Sequence, residues 1–241
     1  MSIAAFAVVA AAVCVASCMQ ASIGFGMGML AAPVVALVEP TLLPATLIMS
    51  ATLVTLIVVV RERASLDFRG TGWALAGRVP GTVAGTLLLV WIPESGLTLL
   101  LAAVVLGGTV VTLLGWNPAP VARNMAIAGA ASGLLGTATS IGGPPMALVN
   151  SGREGAAVRG NMSAFFLVGS LMSLAALAIA GRMHSGTGTA FLALVPAVLL
   201  GYVASRWVNR LLDKDRLRTV SIVVSAAGAV LLLGHQVLLA T

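Results

Sequence analysis

Two short stretches of this chain gather the side chains best suited to hold a polar solute. Gln20 and Ser22 precede the run Gly24-Phe25-Gly26-Met27-Gly28, and Thr137, Thr139 and Ser140 precede Gly142-Gly143-Pro144-Pro145. Amides and hydroxyls donate hydrogen bonds but supply no strong acid or base. Glycine lets a backbone approach a ligand closely, and proline suits the first turn of a helix, where its missing N–H does no harm. The chemistry on offer is non-covalent: hydroxyls and free backbone N–H groups that can hold an anion.

The rest of the sequence removes competing chemistries. All the carboxylates (Glu39, Glu62, Asp67, Glu94, Glu154, Asp213 and Asp215) lie in or near polar connecting segments, so no buried proton relay is visible. His184 and His235 are remote from Cys14 and Cys18, which sit one helical turn apart in an apolar run and read as small buried hydrophobes. No metal and no cofactor is expected.

These stretches are embedded in lipid-soluble sequence. Only 8% of the 241 residues are charged and 59% are hydrophobic, with a mean hydropathy of +1.09. A soluble fold of this size cannot hide that much apolar surface, whereas a bilayer accepts it. The net charge of +6 does not indicate nucleic acid, because the cations lie in short loops between apolar runs. Apolar runs fall at about 3–38, 42–60, 72–91, 96–115, 124–152, 160–181, 187–205 and 218–239. No Lys or Arg precedes Arg61, so the first run lacks the basic start of a signal peptide and is expected to belong to the mature protein.

The sequence repeats. Gly70-Thr71-Gly72 recurs as Gly186-Thr187-Gly188, Val79-Pro80 as Val195-Pro196, Gly85 as Gly201 and Trp91 as Trp207, an offset of 116 residues. The same offset carries Gly26 onto Gly142. Two repeats are expected, 1–116 and 117–241. If every apolar run crossed once, the cations would divide six against seven. If 124–152 folds back to the side it came from, they divide twelve against one, with only Arg182 outside. The excess of cations on cytoplasmic loops favours the second arrangement. It makes loops 61–71, 116–123, 151–159 and 206–217 cytoplasmic. By the repeat, 3–38 is also a hairpin. Each half then crosses an odd number of times and the halves are inverted, with both termini outside. The expected fold is an all-α polytopic membrane protein of two inverted repeats, each a glycine-interrupted helical hairpin followed by three spanning helices.

The interrupted segments should place two hairpin tips near the midplane, each opening a half-helix whose N-terminus faces the other. The residues expected to bind substrate are Gln20, Ser22, Gly24, Gly26, Gly28, Thr139, Ser140, Gly142, Gly143 and Pro144. Asn161 and Ser163 join them on a later helix, matched by Thr46 and Ser50 in the first half. Gly77, Gly81 and Gly85, repeated as Ala193, Ala197 and Gly201, read as a packing face. Two roles are open to Arg78, neutralising an anion on the path or extending to the nearby cytoplasmic surface; the second is expected, since its counterpart Leu194 is apolar.

Ser22-Ile23-Gly24-Phe25-Gly26-Met27-Gly28, with Pro33, resembles the first motif of the sulfite exporter TauE/SafE family of membrane permeases. Ser140-Ile141-Gly142-Gly143-Pro144-Pro145 is similar to its second motif, and Asn161-Met162-Ser163-Ala164-Phe165-Phe166 to the segment that follows. Met27 and Met29 stand where the family pattern has smaller residues. The resemblance implies a secondary transporter in the cytoplasmic membrane that moves sulfite or an organosulfonate by alternating access. Its partners are then a small anion and the lipid bilayer, with self-association possible. The competing function, an intramembrane enzyme acting on a lipid phosphate, would need carboxylates, His or a Ser–Arg cluster at the tips.

Overall fold

The computed structural model describes residues 2–66, 68–93, 118–150 and 156–211, with scattered positions between 96 and 110. The expected spans at 96–115 and 218–239 therefore fall largely or wholly outside the described residues. The described secondary structure is helical: α1 (Ile3–Ile23), α2 (Met27–Val38), α3 (Ala45–Arg61), α4 (Phe68–Trp91), α5 (Ala122–Thr139), α6 (Gly143–Val149), α7 (Ala156–Ile179) and α8 (Thr187–Leu211). Four segments are long and apolar enough to cross a membrane: Ile3–Ile23, Thr71–Trp91, Ala157–Ile179 and Thr187–Val208.

Both interrupted runs break where the glycines fall. α1 ends on Gly24, whose φ of 89° is left-handed and whose N–H closes on Gln20 O. α5 ends in the same way on Ser140, with φ of 65° and its N–H on Gly136 O. Residues 24 and 140 are one repeat offset apart, as are the first residues of the next helices, Met27 and Gly143. A left-handed cap is easy for glycine and strained for serine. Ser140 is held there by its own hydroxyl, which donates to Pro44 O at 3.0 Å.

The hairpins differ in one respect from the expected pair of half-helices. Their first arms are long: α1 has 21 residues, enough for about 32 Å, a full hydrocarbon thickness. Only the returning arms are short, 12 residues in α2 and 7 in α6.

The helices before and after the undescribed stretch at 111–117 interlock. α1 packs on α8, and its counterpart α5 packs on α4, the counterpart of α8. Likewise α3 packs on α8 as α7 packs on α4, and α3 and α7 pack on each other. Glycine sets the closest of these contacts. A side-chain carbon at Gly77 or Gly81 would run into the carbonyls of Ala126 or Ala130, and one at Gly129 into that of Ala74. Gly201 presses in the same manner on Cys14 O of α1. The glycine face expected at 77, 81 and 85 is thus a helix contact, made across the two halves. Outside it, Trp73, Val83, Leu87 and Trp91 on α4, and Leu192, Leu200, Val203 and Trp207 on α8, are exposed and form the lipid-facing surface.

Gly81→Leu is expected to destabilise the protein by about 1–3 kcal/mol or more, because backbone occupies the space a side chain would take. Gly72→Leu, whose surroundings are open within 4 Å, is the control. Thermal unfolding of the two variants in the same detergent measures the difference.

Candidate anion site between the hairpin tips

The tips meet backbone to backbone. A carbon added at Gly28 would collide with Ser140 O, and one at Gly143 would sit 2.9 Å from Phe25 Cδ2. Each tip is braced from within. Gln20 Oε1 accepts the N–H of Met27 at 3.0 Å, which caps α2. Thr139 Oγ1 donates to Leu135 O at 2.6 Å and accepts from Ile141 N at 3.2 Å. Ser132 Oγ donates to Gly142 O at 2.7 Å.

Between the tips lies a cavity of about 50 Å³. That is room for a small oxyanion or a few waters, since one water needs roughly 10–15 Å³ of such space. Its apolar side is formed by Phe25, Leu47, Ile48 and Phe166, and its polar side by Arg78, Ser140, Ser170, Ser173 and the backbone at Gly142 and Gly143. None of the residues lining it is exposed. Thr137 Oγ1 and Ser173 Oγ share a hydrogen bond of 2.7 Å, and Thr52 Oγ1 donates to Ser170 Oγ at 2.8 Å.

Arg78 overturns its sequence-based placement. It is 3% exposed and does not extend to a surface. α4 begins at Phe68, ahead of the expected run, so Arg78 lies ten residues, about 15 Å, along a 24-residue helix. Its Nη1 donates to Ser132 Oγ at 3.0 Å. Its guanidinium carbon lies 4.9 Å from the centre of the Phe165 ring and 5.8 Å from that of Phe166. Gly169 makes the room, since any side chain there would overlap the guanidinium. Nε has no hydrogen-bond partner, and no carboxylate is among the described residues lining the cavity. Aromatic faces offset part of the cost of burying a cation, but they do not neutralise it.

Of the sequence-predicted residues, Gln20, Gly26, Gly28, Ser140, Gly142 and Gly143 line this cavity together. Ser22 and Thr139 are spent on helix carbonyls of their own helices, Ser22 on Cys18 O at 2.7 Å. Gly24 forms the α1 cap against Arg159 and Met162. Pro144 lines a separate, largely apolar cavity with Ile127, Leu135 and Leu148. Asn161 and Ser163 lie on α7 outside the cavity lining, Asn161 half-buried and Ser163 fully buried.

Sequence reasoning placed the anion role of Arg78 second to a surface role, and it missed Ser132, Ser170, Ser173 and Phe166 as site residues. A signal for Arg78 was present. It shares an i, i+4 stripe with Ala74, Thr82 and Thr86, all buried, rather than with the apolar lipid-facing residues of α4.

A model of the family Sulfite exporter TauE/SafE matches residues 9–232. The chain belongs to the TauE/SafE family. It is thus a membrane protein of a family of transporters for sulfite or related anions. Neither curated proteins nor solved structures give a match. In this TauE/SafE protein the match spans both hairpins, Arg78 and the interlocked helices.

Ser132→Ala would leave Gly142 O and Arg78 Nη1 without their shared partner. A loss of about 1–3 kcal/mol in stability is expected for such an unsatisfied buried group. Thermal unfolding against Ser151→Ala, outside the described residues, measures it.

Proposed function

We propose that the protein is a secondary transporter that carries a small oxyanion, sulfite or an organosulfonate, bound at Arg78 between the two hairpin tips and moved by alternating access. The observation that carries this reading is a buried guanidinium facing a cavity with no carboxylate among the described residues that line it. A cation there needs an anion, and the cavity has the size and donors for one. The hydroxyls of Ser140, Ser170 and Ser173 also line the wall, but they donate to Pro44 O, Leu167 O and Gly169 O, so the unpartnered donor is Arg78 Nε. The helix N-termini add partial charge, but α6 spans only two turns, so the main positive charge is that of Arg78.

The halves are 1–116 and 117–241, inverted about an axis in the membrane plane, with the tips at its middle and both termini outside the cytoplasmic membrane. Two observations support this. The caps at residues 24 and 140 are equivalent, and the main neighbours of α1, α3 and α8 map onto those of α5, α7 and α4. The cation distribution supports it separately. Two interlocked halves can rock about the tip contact and expose the cavity to one side and then the other.

Two outcomes test this reading. In proteoliposomes, the wild-type protein should take up labelled sulfite, and Arg78→Gln should reduce uptake about a hundredfold or more by removing the charge paired with the anion. Arg78→Lys should recover only part of it, because an ammonium lacks the planar fork that spans two oxygens. Unchanged uptake in Arg78→Gln would overturn the site. For topology, single cysteines at residues 118 and 157, in a chain with Cys14 and Cys18 replaced, should both react with an impermeant thiol reagent from the cytoplasmic side. Reaction from opposite sides would overturn the inverted arrangement.

A further inference from the structure

We infer that this transporter is an obligatory exchanger: it returns across the membrane much faster with an anion bound than without one. The inference rests on the anion site proposed above and concerns what happens when that site is unloaded.

The reasoning starts from the surroundings of Arg78. Its side chain is buried to 3% exposure, Nε has no partner, and Nη1 donates to a neutral hydroxyl, that of Ser132. Phe165 and Phe166 stack beside it. Among the described residues, no Asp or Glu lines the cavity to replace the anion when it leaves. Glu62 lies at the C-terminal end of α3 and is engaged by Arg61 and Arg159, at 3.0 and 3.3 Å. It is therefore occupied elsewhere.

The second part is the burial of the cavity lining. Every lining residue is buried or half-buried, and the tips touch at Gly28 and Ser140. Alternating access passes through a closed form of such a buried cavity on the way between the two sides. With an oxyanion present, the closed cavity holds a charge pair. Without one, closing it strips water from a lone guanidinium, and a buried charge without its partner is strongly disfavoured. The loaded carrier can therefore close readily and the unloaded carrier cannot. A transporter with a carboxylate beside the cation would close in both forms and support net flux.

The test uses the intact protein in proteoliposomes loaded with labelled sulfite, in potassium gluconate with valinomycin so that no membrane potential opposes anion movement. Gluconate is too large for the cavity. Efflux is followed with and without unlabelled sulfite outside. External sulfite is expected to speed efflux by about tenfold or more, the penalty for closing without a partner. An acceleration below about tenfold would overturn the inference while leaving the anion site intact, since the label would still have moved. If no label leaves under either condition, the proposed function itself fails and the exchange inference with it. A second variant separates charge from fold. Placing a carboxylate near the guanidinium, with Ser173→Asp, should let the unloaded protein close. It should bring the two efflux rates within about twofold of each other, while lowering the affinity for sulfite. If Ser173→Asp moves sulfite and keeps the full acceleration, the charge argument is wrong.

Discussion

The guanidinium of Arg78 sits half-way along α4 on a hydroxyl and two aromatic rings, with no carboxylate against it among the described residues. Much of the surrounding structure follows from holding a charge in that position. Gly169 on α7 must lack a side chain, because the guanidinium occupies its space. Phe165 and Phe166 must lie one turn before Gly169 to offer their faces. Ser132 must come from α5, close enough to reach both Arg78 and the carbonyl of Gly142. That hydroxyl ties the cation to the second hairpin tip, so the charge and the glycine break are positioned by the same atom.

Backbone economy explains the rest of the site. A helix broken inside an apolar protein exposes N–H and C=O groups that must find partners. Here they do so within a few residues. Gln20 caps α2, Thr139 serves Ile141, and the left-handed residues at 24 and 140 close the preceding helices. Several polar side chains beside the breaks are thus structural, and their presence there has two meanings that the sequence does not separate. Gln20 braces a tip and also lines the cavity, while Ser22 only satisfies its own helix.

The interlocking of the halves has a mechanical consequence. α1 leans on α8 and α5 on α4 through contacts in which glycines meet carbonyls, with no side chain between. Such contacts resist compression and permit small rotations about a line of points. The two tips, by contrast, meet through van der Waals contact, Gly28 on Ser140 and Gly143 on Phe25. Motion of one half against the other would therefore be felt first at the cavity.

The sequence alone determined the solvent and the element types. Hydropathy required a bilayer, 116-residue periodicity located the paired hairpins, and Gly24 with Gly142 marked the breaks to within a residue or two. These features are local or periodic, so they are legible without a fold. The tertiary structure decided what faces the cavity. Arg78 and Ser132 are 54 positions apart, and Thr52 and Ser170 are 118 apart; no local pattern brings such pairs together. Arg78 was assigned to the surface from its distance to the expected end of a helix, and a few extra residues in α4 moved that end away. Pro144, beside Gly143 in sequence, turned to another cavity because neighbours on a helix point about 100° apart. Spacing along the chain fixes which residues share a helix face, but only packing fixes what that face meets.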